Sequence, residues 1–503
     1  MKKTTMKRTL IAICTACAMA QTITASAASG VQTKMIDGGN ARTITPAAST
    51  TNITVNKDIL LYNSAGSDIY APNITYSYNI TSAATNAETQ IITYAETDLE
   101  NGEPKPGAVP ITAIVHPGKI EAISTTGDDA STTSVVEGSI AFGGSGDTLH
   151  NSNTIGATAV DTSKKVTGSM SISVDANKIF NPDYDPNDAS TKVQLSPPGI
   201  YRYKIADVTT AATLTAAGVT DGGAANQIYL DVYTKYNANK DGLEVYGYVL
   251  FKSDSDTASI TYDETVTITT EGKVTGFDVQ TETETVSGVN GQNEITYKSD
   301  KYYTYNAKVK KMIDGELADA THKFPFKVEL SNSSVTSADD FLYQIKTGGE
   351  EGALTDAHLA ANGSWTLDGI TDATTGLKLG QNDEIVLVGL PAETKIKVTE
   401  KNDTGDIYTA SAKDTDNAAV NLKSGTADAA ASVAVSPDAT AEMNAVYDID
   451  GTETITFTNS MKDISVTGLL FSTAPFIIIT GAGAVLIVMV IRGRKRRNDN
   501  EVI

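Results

Sequence analysis

The sequence predicts an all-β protein of tandem immunoglobulin-like β-sandwiches, with a signal peptide at its start and one transmembrane helix near its end. Short segments such as ITYSYNI, IYRYKI and FPFKVEL carry apolar or aromatic residues at every second position. Clusters of Gly, Asn, Asp and Ser separate them, which is typical of half-buried strands joined by turns. Because no long stretch before residue 469 has a helical period, the pattern favours β-sandwiches.

Residues 1–27 predict a secretory signal peptide. An apolar segment from Leu10 to about Ala20 is followed by the small residues Ala25 and Ala27, which mark a cleavage site. Four basic residues precede the apolar segment: Lys2, Lys3, Lys7 and Arg8. We expect residues 28–47 to be a flexible segment at the start of the mature chain.

The two cysteines, Cys14 and Cys17, both lie within the predicted signal peptide, so the mature chain has none. An exported eukaryotic chain of this size would usually carry disulfides. The cysteine content therefore indicates a bacterial cell surface.

The C-terminal region predicts a single membrane span. Residues 469–491 contain no charged side chain and, as a helix, are long enough to cross a bilayer. Residues 492–503 begin with a cluster of Arg and Lys, which places this tail in the cytoplasm.

The charge balance limits the classes of partner. The chain has 39 basic and 61 acidic side chains, a formal net charge of −22. Such a surface repels the phosphates of nucleic acids and anionic lipids, so no nucleic-acid partner is expected. The length suggests about two to four domains.

Two copies of one order of elements follow each other along the chain. The first predicted module covers residues 48–301 and the second covers residues 302–462. The first is enlarged by a predicted insertion, rich in Gly, Ser, Thr and Ala, at about residues 90–195.

Three polar residues of the second module share strand faces with apolar residues. Side chains two positions apart point to the same side of a strand, which directs Lys311, Glu400 and Asn459 into the core. One interpretation is that they end strands and reach solvent. The other is an amide bond from Lys311 Nζ to Asn459 Cγ, assisted by Glu400, because burial favours the neutral amine and the protonated acid.

The motifs VKKMIDG, GLPAETKIKVTE and ITFTNS resemble the B-type, prealbumin-like repeats of Gram-positive surface proteins and pilins. The resemblance implies an isopeptide triad of Lys311, Glu400 and Asn459. The first module resembles the isopeptide-linkage domain of major pilins through GIYRYKI, which implies Lys57 as the amine and Asp207 as the catalytic acid. Its acceptor stays open between Asp300 and Ser299; only the aspartate can accept a lysine, with loss of water.

Residues 463–468 contain the pentad ISVTG, which resembles a sortase signal. The resemblance implies cleavage between Thr467 and Gly468 by a sortase-type transpeptidase. The threonine carbonyl would then pass to cell-wall peptidoglycan or to another pilin subunit. The usual proline is missing, so an ordinary single-span anchor without sortase processing is the alternative.

Together these features predict a Gram-positive cell-surface protein, a pilus subunit or wall-anchored stalk that takes part in cell adhesion. Its only expected chemistry is self-crosslinking, not enzymatic turnover. We find no nucleophile elbow, phosphate loop or metal-ligand spacing, and expect no cofactor or metal. The alternative functions are an adhesin whose enlarged first module binds a host or matrix ligand, and a single-span membrane-anchored protein.

Overall fold

The structure is a computed structural model. It describes residues 33–35, 43–83, 90–95, 99–100, 103–104, 111–126, 128–129, 134–157, 163–179, 199–238, 242–252, 273–277, 283–287, 293–334, 340–372, 376–401, 403–404, 407–413, 422–424, 427–429, 438–444 and 453–461.

Nearly all of the regular structure in these ranges is β-strand, so the all-β prediction is confirmed. Helical elements within the described ranges include the short helix α1 (Ala211–Ala216) and a 3-10 turn (Ile120–Ala122). The strands up to residue 300 are β1 (Thr33–Met35), β2 (Thr43–Ala48), β3 (Thr50–Asn63), β4 (Ile74–Ser82), β5 (Gln90–Ala95), β6 (Leu99–Glu100), β7 (Glu103–Pro104), β8 (Ile111–Pro117), β9 (Ile123–Thr125), β10 (Asp128–Asp129), β11 (Val135–Phe142), β12 (Asn153–Thr154), β13 (Lys165–Asp175), β14 (Ile200–Asp207), β15 (Val219–Thr220), β16 (Gln227–Tyr236), β17 (Leu243–Phe251), β18 (Lys273–Val274), β19 (Gly276–Phe277), β20 (Thr283–Ser287) and β21 (Asn293–Tyr297). The later strands are β22 (Lys301–Asp314), β23 (Phe324–Ser331), β24 (Asp340–Thr347), β25 (Glu350–His358), β26 (Ser364–Asp368), β27 (Lys378–Leu379), β28 (Glu384–Pro391), β29 (Lys395–Lys401), β30 (Tyr408–Lys413), β31 (Leu422–Ser424), β32 (Ala427–Ala429), β33 (Asp438–Asn444) and β34 (Glu453–Met461).

The first sandwich packs two sheets around one apolar core. One sheet has the order β11-β4-β14-β16-β17, and the other has the order β9-β13-β3 with β22 parallel beside β3. Alternating side chains of both sheets meet in the core, among them Ile53 and Val55 from β3, Tyr76 and Tyr78 from β4, and Tyr203 from β14. This is the period-2 burial that the sequence predicts for strands.

The structure differs from the sequence prediction within residues 90–195. Strand β13 pairs with β3 from Lys165↔Leu60 to Asp175↔Thr50, and β11 pairs with the full length of β4 except its last residue. Buried side chains of both strands, such as Ile140 and Ile172, belong to the first core. Strands β11 and β13 are therefore part of the sandwich and not an insertion outside it. Strand β11 supplies the hydrogen-bonding partner along one edge of β4, and β13 does so along one edge of β3.

The second sandwich follows the same plan. Its one sheet has the order β26-β23-β29-β33, and the other contains β25-β24-β28-β22 with β34 and β30 beyond β22. The core between them includes Val309, Phe326, Leu387, Val398 and Phe457.

Strand β22 belongs to both sandwiches. Its first four residues pair in parallel with β3, from Lys301↔Leu60 to Thr304↔Asn63. Its later part pairs in parallel with β34, from Ala307↔Glu453 to Asp314↔Ser460. One continuous strand therefore leads from the end of the first sandwich into the start of the second.

Within the described ranges, which end at residue 461, no helix is long and apolar enough to cross a membrane. The predicted signal peptide (1–27), most of the flexible segment (28–47), the sorting pentad (463–468), the predicted span (469–491) and the tail (492–503) lie outside these ranges.

Candidate crosslinking sites

The candidate site of the second module, called the second site below, is built by three strands of one sandwich. On β22 the side chains of Val309, Lys311 and Ile313 alternate inward, while Lys308 and Lys310 point outward to Glu384. Glu400 on β29 and Asn459 on β34 are directed inward by the same alternation. The local period of each strand thus places one polar group of each kind in the core.

Lys311, Glu400 and Asn459 meet inside the second core. Lys311 Nζ lies 3.2 Å from Glu400 Oε2, and Asn459 Nδ2 donates a hydrogen bond to Glu400 Oε1 at 2.5 Å. The side chains of Lys311 and Glu400 are 0% and 1% exposed. Asn459 lies opposite Ile313 in the parallel β22–β34 pair, two positions beyond the lysine, and it is fully buried.

Burial controls the protonation of this site. It lowers the pKa of Lys311 to about 8, although the neighbouring Glu400 acts in the opposite direction. Burial also raises the pKa of Glu400, against the effects of Lys311 and Asn459. Both shifts favour the neutral pair of amine and carboxylic acid, because an apolar environment penalises charged groups. A neutral amine beside a proton donor is the arrangement that nucleophilic attack on the Asn459 amide requires.

The first site brings together Lys57, Asp207 and Asp300. Lys57 Nζ lies 2.9 Å from Asp300 Oδ2 and 3.8 Å from Asp207 Oδ2. The three side chains are 7%, 8% and 13% exposed, for Lys57, Asp300 and Asp207 in that order. A cavity of about 210 Å³ borders all three of them, so this site is less enclosed than the second.

Strand register distinguishes the position of Asp300 from that of Ser299. Lys301 lies opposite Leu60 in the parallel β3–β22 pair, so Asp300 lies opposite Ile59, two positions beyond Lys57. Asn459 has the same offset from Lys311. Asp300, not Ser299, therefore occupies the position that corresponds to Asn459.

The two acids also correspond. Asp207 lies opposite Tyr78 in the β4–β14 pair, and Glu400 lies opposite Phe326 in the β23–β29 pair. Burial raises the pKa of Asp207, while Lys57 and Thr209 act against that shift. Asp207 and Glu400 therefore occupy corresponding positions beside their lysines, and burial raises the pKa of both.

The sequence reasoning missed the aromatic residue that covers each amine. Lys57 Nζ lies 4.5 Å from the centre of the Tyr76 ring, and Lys311 Nζ lies 4.5 Å from that of Phe324. Tyr76 lies two residues before Tyr78, which is opposite Asp207. Phe324 likewise lies two residues before Phe326, which is opposite Glu400. The segments ITYSY and FPFKV carry these aromatic residues at matching positions, a signal that could have identified them.

The remaining predicted site residues, Thr467 and Gly468, lie outside the described residues. Among the residues that are described, no group of three or more His, Cys, Asp or Glu side chains could hold a metal ion.

One protein-family model matches part of the chain. The profile of a domain family of unknown function, DUF7601, matches residues 305–461, which include the second site. No curated protein sequence matches the chain.

Among solved structures, the chain is similar to pilus proteins. A major pilin from Streptococcus pyogenes is 15% identical with a TM-score of 0.35, and the alignment covers 82% of this chain and 98% of the pilin. The major pilin of one S. pyogenes serotype is 16% identical with a TM-score of 0.35, covering 82% and 100%. A pilus-presented adhesin is 13% identical with a TM-score of 0.22, covering 82% and 100%.

Proposed function

We propose that this chain is a structural protein of a bacterial cell surface, a pilus subunit or wall-anchored stalk, and that its chemistry is limited to forming its own amide crosslinks. The observation that carries the proposal is the fully buried contact of Lys311 and Asn459 with Glu400. A buried lysine and carboxyl are costly to maintain as charges. Their use as reactants explains why they share a core with an asparagine.

The proposed bond joins Lys311 Nζ to Asn459 Cγ. Glu400 takes a proton from the lysine, and the neutral amine attacks Cγ. The Cγ–Nδ2 bond breaks, and Nζ gives up two protons in all. One leaves with Nδ2 as ammonia and the other stays on Glu400. Because the fold holds the reactants together, it can supply about 7–11 kcal/mol of the barrier.

Glu400 must donate a proton to the amide oxygen during the attack. Asn459 Oδ1 is buried and has no hydrogen-bond partner in the described part of the chain. Turning the amide by half a rotation about Cβ–Cγ brings Oδ1 against Glu400 without breaking any bond to Oδ1. In that orientation the protonated Glu400 polarises the carbonyl that Lys311 attacks.

The proposed first bond joins Lys57 Nζ to Asp300 Cγ with loss of water. Asp300 directly precedes β22, and Lys311 lies on the same strand. Tension would therefore run from Lys57 through the first bond to β22, and through the second bond to β34. In both modules the joined strands are parallel neighbours, so a pull on the chain ends shears them, and a covalent bond between them resists that shear. This suits a stalk under load.

Export and anchoring are part of the proposal. The signal peptide at 1–27 would export the chain. A sortase-type transpeptidase would cleave between Thr467 and Gly468 and join Thr467 to peptidoglycan or another subunit. Peptide mapping of cell-wall digests should find Thr467 linked to a foreign amine. Recovery of mature chains that mainly retain Arg492 to Ile503 would instead favour the plain membrane anchor.

Intact mass tests the central proposal. The purified, denatured chain should be lighter than calculated for its mapped ends by one ammonia for the Lys311–Asn459 bond. Digestion should yield one peptide that contains both residues. Lys311→Ala should restore the ammonia, whereas Lys310→Ala, the outward neighbour on the same strand, should not. A wild-type chain that retains the ammonia refutes the proposal.

A further inference from the structure

The acceptor carboxyl of the first module is held by two groups that the crosslinking triad does not include. The Tyr76 hydroxyl donates a hydrogen bond to Asp300 Oδ2 at 2.7 Å, and the Gly222 N–H donates one to Asp300 Oδ1 at 3.1 Å. Oδ2 is also the oxygen that lies 2.9 Å from Lys57 Nζ. Each oxygen of the carboxyl thus has its own donor.

The Gly222 contact depends on glycine. A Cβ atom at this position would lie 2.0 Å from the carbonyl oxygen of Lys298 and 2.1 Å from that of Ser299. Any other residue would push the backbone N–H away from Asp300. The close approach of the two chain segments is therefore what places this donor.

The second module lacks the phenol. Its corresponding ring is Phe324, which covers Lys311 at the same 4.5 Å but has no hydroxyl. The modules thus pair a tyrosine with an aspartate acceptor and a phenylalanine with an asparagine acceptor. This difference matches the leaving groups, because an aspartate must release an oxygen as water and an asparagine releases ammonia.

We propose that Tyr76 is a catalytic residue of the first module, the proton donor to the departing Oδ2 of Asp300, and that the Gly222 N–H binds the oxygen that stays. This inference rests on the proposed self-crosslinking function. Tyr76 is buried beside two carboxyl groups, and burial raises its pKa, so its hydroxyl keeps the proton until the reaction requires it.

The proposed step balances. Lys57 transfers one proton directly to Oδ2, and the neutral Nζ attacks Cγ. Asp207 removes a second proton from Nζ while Oδ1, bound by Gly222, carries the developing negative charge. Tyr76 protonates Oδ2, the Cγ–Oδ2 bond breaks and water leaves. Asp207 then returns its proton to the Tyr76 phenolate. The cavity that borders the site gives the water a way out.

The test follows loss of water and loss of ammonia separately, by intact mass against time after unfolded, unreacted full chain is refolded. Wild type should lose one of each. Tyr76→Phe should slow the loss of water by about 10²–10⁴-fold, the usual contribution of a general acid. It should leave the loss of ammonia unchanged, and that unchanged loss shows that the second module has folded. Tyr78→Phe is the matched control, because its buried hydroxyl on the same strand has no hydrogen-bond partner among the described residues.

A rescue separates catalysis from structure. Asp300→Asn should form the first bond with loss of a second ammonia, and Tyr76→Phe/Asp300→Asn should form it as fast, because it reproduces the Phe324–Asn459 pairing. If Tyr76→Phe reacts like wild type, or if the double variant stays as slow as Tyr76→Phe, Tyr76 is not the proton donor. A wild type that loses ammonia but no water overturns this inference and leaves the Lys311–Asn459 proposal standing.

Discussion

Burying a single polar side chain in an apolar core is unfavourable, and the second site buries three of them in mutual contact: Lys311, Glu400 and Asn459. The lysine and the glutamate are almost completely buried, and an unpaired charge at either position would cost several kcal/mol. The Lys311 amine is paired with the Glu400 carboxyl, and that carboxyl also accepts a hydrogen bond from the Asn459 amide. The same mutual dependence makes any single change in the site consequential.

The rate of ammonia loss should depend on pH in a bell shape. In the reactive state the Lys311 amine is neutral and Glu400 is protonated, so the pair holds one titratable proton. The ammonium–carboxylate form of the pair holds the same number. Below the raised pKa of Glu400 a second proton is bound and the amine is blocked. Above the Lys311 pKa of about 8 the last proton is lost and Glu400 cannot donate. The rate should therefore fall on both sides.

The measurement is intact mass against time after unfolded, unreacted chain is refolded at a series of pH values. Glu400→Gln keeps the size of the side chain but cannot transfer the proton, and it should give no bond at any pH. A wild-type rate that keeps rising well above pH 8 would show that the proton on Glu400 is not required.

At the scale of the elements, a further buried ion pair joins two neighbouring strands of the first sandwich. Arg202 on β14 and Asp231 on β16 lie directly opposite each other and form two hydrogen bonds of 2.6 and 2.8 Å. Both side chains are buried. Strand β14 ends at Asp207, so this pair also helps to fix the strand that carries the acid of the first site.

Asp231→Ala should destabilise the protein by about 3–5 kcal/mol, because it leaves the Arg202 guanidinium buried without its counter-charge. Urea unfolding of the full chain measures the loss. Lys204→Ala on the same strand is the control, since that side chain is only half-buried, and it should change stability by about 0.5 kcal/mol or less. Equal stability of the two variants would show that the ion pair does not hold β14 in place.

At the scale of the whole molecule, a buried polar network joins the two sandwiches. A bulge in the β22–β28 pair lies between Tyr305 and Ala307, at Asn306. Asn306 Oδ1 accepts hydrogen bonds from Asn63 Nδ2 at 2.8 Å and from Gly389 N at 3.2 Å. Asn63 ends β3 in the first module, whereas Gly389 lies on β28 in the second, so this one side chain bridges both.

Asn306→Ala should loosen the junction. It leaves buried donors of Asn63 and Gly389 with one acceptor fewer, at a cost of about 1–3 kcal/mol for each unsatisfied group. Small-angle scattering should show a wider spread of distances between the modules, and both proposed crosslinks should still form. Tyr70→Phe, which removes a solvent-exposed hydrogen bond to Asp356 across the same junction, should leave the scattering unchanged. Scattering of Asn306→Ala that matches wild type would mean that other contacts fix the orientation.

The sequence alone determined the strands and the direction of their side chains. Alternation is a local property, so ITFTNS directs Asn459 to the same face as Phe457 whatever that strand pairs with. For this reason the sequence was sufficient to predict that Lys311, Glu400 and Asn459 each lie on the apolar face of their strand.

Only the tertiary structure decided which strands are neighbours and in what register. The parallel pairing of β22 with β3 gives Asp300, not Ser299, the position that corresponds to Asn459, and the pairing of β13 with β3 makes β13 part of the first sandwich. Tyr76 and Gly222 approach Asp300 from segments 224 and 78 residues away. Such contacts depend on hydrogen bonds and packing between distant segments, and the local period of a strand carries no information about its partner.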